Sequence, residues 1–249
     1  MRPVLLLAAA LGLASSARAD FLAEQRRSPR VKAAYAARGE ELRGLFTSRE
    51  LPYPPRGVLI RVFKEEKELE LWGARADGTY ALLKRFPVCA SSGELGPKRR
   101  KGDLQVPEGF YALNLFNPAS RFHLSLGVSY PNAADRILAG KGPLGGEIFI
   151  HGACATIGCV PIEDGPIELV YLAALEARAA GQQEIPIHIF PARLTDAAMA
   201  RLSRARAGDP PTVAFWRNLK QGFESFEKEK RPPRVRVERD GRYLFYSSP

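Results

Sequence analysis

Ile148-Phe149-Ile150-His151-Gly152-Ala153-Cys154-Ala155-Thr156-Ile157-Gly158-Cys159-Val160-Pro161 is the stretch on which the reading of the fold turns. It sets one of three histidines close to two of three cysteines. The apolar run that leads into His151 reads as a strand opening at Gly145-Gly146 and covering Glu147 to Ile150. Beyond Pro161 the helix signals are clear: Asp164 as a cap, Pro166 in the first turn, Gly181 past the end. Ile167, Val170, Tyr171, Ala174 and Leu175 form one apolar face of that helix. A strand-end histidine, a glycine-lined loop and a cysteine ahead of a helix deliver a thiol nucleophile and its base to one pocket.

The attacking species of such a site is the thiolate, and an unperturbed cysteine is only slightly ionised at neutral pH. A nearby imidazole takes the proton, and the positive end of the following helix adds a weaker effect. On this reading the thiol of Cys159 titrates below the ordinary cysteine range. Gly158 leaves room for a carbonyl to approach the backbone, and the amides around Gly158 and Cys159 donate to the developing oxyanion. Three other readings stand beside this one. Cys154 and Cys159 form a disulfide, with Cys89 buried. His151, Cys154, Cys159 and His188 ligate zinc, although the usual Cys-x2-Cys hairpin is missing. All three cysteines are inert core residues.

Outward from this segment, strands precede and helices follow. Val58 to Phe63, Glu68 to Trp72 and Thr79 to Leu83 read as strands, the last two joined by a turn at Asp77-Gly78, and Phe86 to Cys89 as a fourth. Ser91 to Asp103 is a basic, glycine-rich loop. Pro107-Glu108-Gly109 is a turn, and Phe110 to Phe116 resumes a strand. Phe122 to Val128 alternates in part. Ile185 to Phe190 returns as a strand carrying His188. Thr195 to Ala205 and Phe215 to Phe226 are helical. A hairpin closes the chain, Val235 to Val237 and Tyr243 to Tyr246 around Asp240-Gly241. Upstream, Phe21 to about Arg49 is helical and Leu51-Pro52-Tyr53-Pro54-Pro55 a stiff linker.

The first nineteen residues read as a leader: Arg2, an apolar run from Val4 to Leu13, and Ala17-Arg18-Ala19 as a small-x-small cleavage site. That run is too short to span a bilayer. No later segment is long enough either, so the mature chain is expected outside the inner membrane, in the periplasm, and not membrane-spanning. The formal net charge is +10 and falls to +8 once Arg2 and Arg18 leave. Such charge points to an anionic partner. Export and the lack of a basic stripe interleaved with aromatics exclude nucleic acid. An odd number of cysteines in an exported chain leaves one thiol outside any intrachain pair. Oxidising compartments remove idle thiols, which makes a retained one suspect as chemistry.

His-Gly, a short loop and Ser/Thr-x-Gly-Cys followed by an apolar residue is similar to the signature of the L,D-transpeptidase (YkuD-like) catalytic domain. The pattern His-Gly-x-Cys-x-Ser/Thr-x-Gly-Cys resembles most closely the YafK-like branch of murein-acting proteins. Further stretches resemble that branch: Ser92 to Lys98, Gly102-Asp103, Pro107 to Tyr111, Ser129 to Arg136 and His188 to Pro191. The resemblance implies an α+β fold with a mainly β catalytic domain over 57–191. Residues 20–56 are then a helical N-terminal segment and linker, and 192–249 a helical and hairpin extension. It implies Cys159 as nucleophile, His151 as general base and Cys154 as bystander. It also implies a thioester acyl-enzyme on peptidoglycan stem peptides, with no cofactor. An amine acceptor makes this a transpeptidase; water makes it an amidase that releases murein-linked lipoprotein. Non-catalytic wall binding is the alternative of a different class.

Substrate contacts are expected from Lys98, whose basic loop attracts stem carboxylates or is simply solvated, and from Thr156. Asn132, Asp135 and Arg136 shape the cleft or stabilise a turn. His188 and His123 are expected to be structural. Ile157 marks a departure, because the wider family places a second histidine there and the work falls on His151 alone.

Overall fold

Six consecutive buried residues, Val58–Phe63, make β1 a strand covered on both faces rather than one. In the computed structural model, which describes residues 20–247, β1 lies inside an eight-stranded sheet. The other strands of that sheet are β2 (Glu68–Ala74), β3 (Tyr80–Pro87), β4 (Gly109–Asn117), β5 (Ser125–Val128), β6 (Phe149–His151), β7 (Val160–Pro161) and β8 (Pro186–Phe190). Their spatial order is β3-β2-β1-β8-β4-β5-β6-β7. Parallel pairing occurs between β1 and β8 and between β6 and β7. A separate two-stranded sheet holds β9 (Arg234–Val237) and β10 (Tyr243–Tyr246). The proposed leader, residues 1–19, lies outside the described residues. No described helix is long and apolar enough to cross a membrane.

The helices are α1 (Pro29–Thr47), preceded by helical residues 20–27, α2 (Ala133–Leu138), α3 (Asp164–Ala180), α4 (Asp196–Ala205) and α5 (Pro210–Glu229). Alternation along β8 explains the layering. Ile187 and Ile189 enter the core that α1 and α3 cover, whereas Phe190 enters the core built with α4, α5 and β10. The residues after 191 therefore close the second face of the sheet. Their Leu202, Trp216, Phe223 and Tyr243 pack with Phe63, Phe110 and Phe190. Arg61 is wholly buried on this side, paired with Glu227 at 2.6 Å and stacked over Phe226 at 4.4 Å. A buried cation of this kind is tolerable only with a close partner.

Most of the expected elements are present, with four local differences, the first being that the strand read over Glu147 to Ile150 is Phe149–His151, since Glu147 takes a positive φ of 57°. Phe86 to Cys89 is no fourth strand: β3 continues through Phe86 to Pro87, with a register irregularity at Leu71/Trp72 of its partner β2. Of Phe122 to Val128, which alternates in part, only Ser125–Val128 is strand, and His123 ahead of it takes a positive φ of 66°. Asn132, Asp135 and Arg136, read as shaping the cleft or stabilising a turn, belong to α2 and its cap, which opens through a capping box between Asn132 and Asp135. The helix after the cysteine runs as expected and ends at Gly181 in the left-handed region, φ 117°.

Candidate active site

His151 ends β6 and Cys159 immediately precedes β7. The two strands pair in parallel, with Ile150 opposite Val160 and His151 opposite Pro161. Cys159, one residue before β7, is thereby set beside Phe149 across the pair, two residues along β6 from His151. The Phe149 N–H donates to Cys159 Sγ at 3.4 Å, and the thiol donates to the Glu147 carbonyl at 3.6 Å. Cys159 is the free cysteine of the chain.

His151 is almost completely buried, and its Nδ1 lies 2.5 Å from the Gly152 carbonyl oxygen. A carbonyl only accepts, so Nδ1 carries the proton and Nε2 presents its lone pair. The ring stacks on Phe122 at 4.7 Å and 28°. Phe122 is itself fixed, because Arg30 of α1 donates to the carbonyls of Ser120 and His123 on either side of it. Burial lowers the pKa of His151, partly opposed by its bond to Gly152. Burial raises that of Cys159, partly opposed by the Phe149 amide; Glu147 adds to the rise and Lys98 counters it. The expected low-pKa thiol is thus corrected: desolvation outweighs the single amide bond, and both groups are neutral at neutral pH.

The loop between them is clamped at several points. Cys89 and Cys154 form a disulfide, and the Cys89 N–H donates to the Pro161 carbonyl at 3.0 Å. This overturns the Cys154–Cys159 pairing with a buried Cys89 thiol, and with it the reading of three inert cysteines. The zinc set is not assembled either. Cys154 is spent in the disulfide, and His188 is buried in β8 with its ring 4.7 Å from that of Phe110. Asp164, expected as a helix cap, instead accepts from the Ala153 N–H at 2.9 Å. A Cβ on Gly152 would come within 2.4 Å of that carboxylate, and one on Gly158, at φ 135°, within 3.2 Å of the Gln105 carbonyl oxygen.

Thr156 stands in a different role from the one expected of it. Its Oγ1 accepts from the amides of Cys159 at 2.8 Å and Gly158 at 3.2 Å, and donates to the Cys159 carbonyl at 2.8 Å. The two amides read as oxyanion donors are therefore already satisfied by Thr156, which shapes the loop rather than facing outward to a ligand.

The remaining expected contacts are mostly scaffold. Lys98 is buried, and its ammonium pairs with Asp103 at 2.5 Å, so it is neither a solvated loop residue nor a free cation. Asp103 also accepts from the amides of Arg99, Arg100 and Gln105, which orders the basic loop. Asp135 is buried between Tyr111 and Arg99, and burial raises its pKa to about 6. Asn132 donates to the Phe110 carbonyl and the Tyr243 hydroxyl, and lines a cleft of about 900 Å³ between β4, β8 and the β9–β10 hairpin. Cys159 is not among the residues of that cleft. Arg136 is exposed on α2. His123 pairs with Glu168 at 3.0 Å. The pocket that does contain Cys159 is smaller, about 280 Å³, and includes Ser92, Val88, Val106 and Lys67. Phe122 and Ser92 went unread in the sequence as site residues, since neither belongs to a spacing pattern around the thiol.

No family model matches the chain. Two curated relatives do, each named "Putative L,D-transpeptidase YafK", from Escherichia coli K12 and O157:H7. Each is 38% identical over 189 residues, spanning 75% of this chain and 73% of the relative. Among solved structures, the helical cell shape determining protein Pgp2 from Campylobacter jejuni aligns with a TM-score of 0.44 and 19% identity over 73% of each chain. Mycobacterium tuberculosis L,D-transpeptidase 1 aligns at 0.29 and 12% identity, over 53% of this chain and 61% of that one. These structural likenesses are too loose to weigh. The sequence relationship is not, and by it the chain belongs to the L,D-transpeptidase family alongside YafK.

Proposed function

We propose that the protein is a periplasmic cysteine enzyme acting on peptidoglycan stem peptides through a thioester on Cys159. The observation that carries this reading is the arrangement at β6 and β7. A free thiol sits against the backbone of β6, the strand that ends in a histidine whose Nδ1 proton is held by a carbonyl, leaving Nε2 as the base. Because thiol and imidazole both start neutral, the proton transfers as attack occurs. The sulfur bonds to the amide carbon at the L-centre of the third stem residue. Collapse of the oxyanion breaks the C–N bond, and His151 returns its proton to the departing amine. An acceptor amine then gives transpeptidation. Water gives hydrolysis, the amidase form that frees a murein-linked lipoprotein.

Incubation of purified peptidoglycan with the enzyme, followed by mass spectrometry of the digest, tests this. New crosslinks support transfer; shortened or lipoprotein-free stems support hydrolysis. An unchanged digest, with Cys159→Ala indistinguishable from wild type, overturns the enzymatic reading in favour of wall binding. In that case the phenotype of the gene would follow the basic loop rather than the thiol.

A further inference from the structure

The 280 Å³ pocket beside Cys159 has apolar walls from Val62, Val88, Val106 and Val160, with charged residues Lys64, Glu65, Lys67 and Glu94. Most of that charge is internally neutralised. Lys64 pairs with Glu108 at 2.8 Å and also donates to the carbonyls of Gly96 and Val106. Glu65 pairs with Arg201, and Glu94 with Arg206 at 2.7 Å. Lys67 is exposed and has no ion-pair partner among the described residues. In the same pocket the Ser92 hydroxyl is buried without a hydrogen-bond partner. An unsatisfied buried hydroxyl is costly, and a ligand that bonds to it recovers that cost. The volume lies near the lower bound of ligand pockets and suits one amino-acid residue rather than a sugar chain.

From this we propose that Lys67 and Ser92 form a subsite for a carboxylate next to the reacting sulfur, the cation balancing its charge and the hydroxyl donating to it. The assignment of the carboxylate to a substrate rests on the function proposed above. Two sources place one there: the free α-carboxylate of the residue leaving from the scissile amide, and the side-chain carboxylate of the diamino acid whose carbonyl is transferred to the sulfur. A hydrogen bond to a charged group is worth about 1.5–3 kcal/mol, or about 10- to 150-fold.

The test has two parts that separate the subsite from the reaction. First, Cys159 is alkylated with iodoacetate and with iodoacetamide, in wild type, Lys67→Gln, Lys67→Arg, Ser92→Ala and the charge control Lys141→Gln. Circular dichroism confirms that each variant is folded. The iodoacetate-to-iodoacetamide rate ratio is expected to fall about tenfold in Lys67→Gln and less in Ser92→Ala, and to persist in Lys67→Arg and Lys141→Gln. A ratio equal to wild type in both Lys67→Gln and Ser92→Ala overturns the proposal whatever the enzyme turns over. Second, kcat/KM is measured on stem peptides lacking one or the other carboxylate. Wild type is expected to lose at least tenfold on one of them, identifying the source, and Lys67→Gln to lose the discrimination. Wild-type turnover that ignores both carboxylates also overturns the subsite. Absence of any turnover, together with the expected fall of the alkylation ratio in Lys67→Gln and Ser92→Ala, refutes the proposed reaction and leaves the subsite standing.

Discussion

Removing the Cys89–Cys154 disulfide by the double substitution Cys89→Ala/Cys154→Ala leaves the Cys159 thiol in place and opens a loop closed across 65 residues. In the chain-entropy treatment, closing a loop of that length destabilises the unfolded state by about 4 kcal/mol at 25 °C. For a chain of this size each kcal/mol moves the melting midpoint by about 2–4 °C, so the variant should melt about 10 °C below wild type. Wild type in excess dithiothreitol should melt with the variant, and the reductant should have no further effect on the variant itself. Thiol titration under denaturing, non-reducing conditions should find one reactive sulfur in wild type. The same link fixes the loop carrying Thr156 and Gly158 to the end of β3, so kcat should fall in the folded variant as well. A melting difference below 2 °C, or three titratable thiols in air-oxidised wild type, refutes the argument.

Other outcomes follow from the site's electrostatics and packing. Burial lowers the pKa of His151, so the neutral base survives to more acidic pH and the acid limb of kcat/KM should fall below the usual histidine value near 6.5. Burial raises that of Cys159, so iodoacetamide labelling should keep climbing above pH 9; a plateau from pH 5 upward would mean a preformed thiolate–imidazolium pair instead. Phe122→Ala removes a stack worth about 0.5–1.5 kcal/mol and should lower kcat several-fold while moving that acid limb upward as water reaches the ring. An unmoved limb would show that the stack does not set the imidazole's environment. Asp135 titrates near 6 in the native state against 3.8 when exposed, so the native state binds more protons between those values. Its contribution is fully present below about pH 4 and declines as pH rises through about 6, by up to about 3 kcal/mol. Asp135→Asn should flatten urea-melt stability across that window, and an unchanged slope would place the titration elsewhere.

Periodicity made the main elements legible before any coordinates. Ile167, Val170, Tyr171, Ala174 and Leu175 marked α3, and Gly181 its end, because one helix buries one stripe and stops where a residue tolerates positive φ. The β9–β10 hairpin was equally plain around Asp240-Gly241. What local pattern missed was pairing at a distance. Pro87 ends β3 where the run to Cys89 looked like a fresh strand, since the neighbouring strand β2 and its irregularity at Leu71/Trp72 set the register. The basic run at Lys98 read as solvent-facing because charge runs usually are, yet Asp103 draws it inward.

The same division holds at the site. The order His151, Gly152, Thr156, Gly158, Cys159 determined by itself which residues lie on a strand, a loop and the approach to a helix, because those are choices of backbone conformation made within a few residues. Tertiary structure alone decided which cysteine is free, since Cys89 reaches Cys154 only when β3 and the end of β7 converge. It also decided that Thr156 occupies the Gly158 and Cys159 amides, that Phe122 seals the imidazole, and that thiol and imidazole both start uncharged. Disulfide partners, burial and the pKa values that follow from them depend on residues brought together from distant parts of the chain, and on the water that packing excludes.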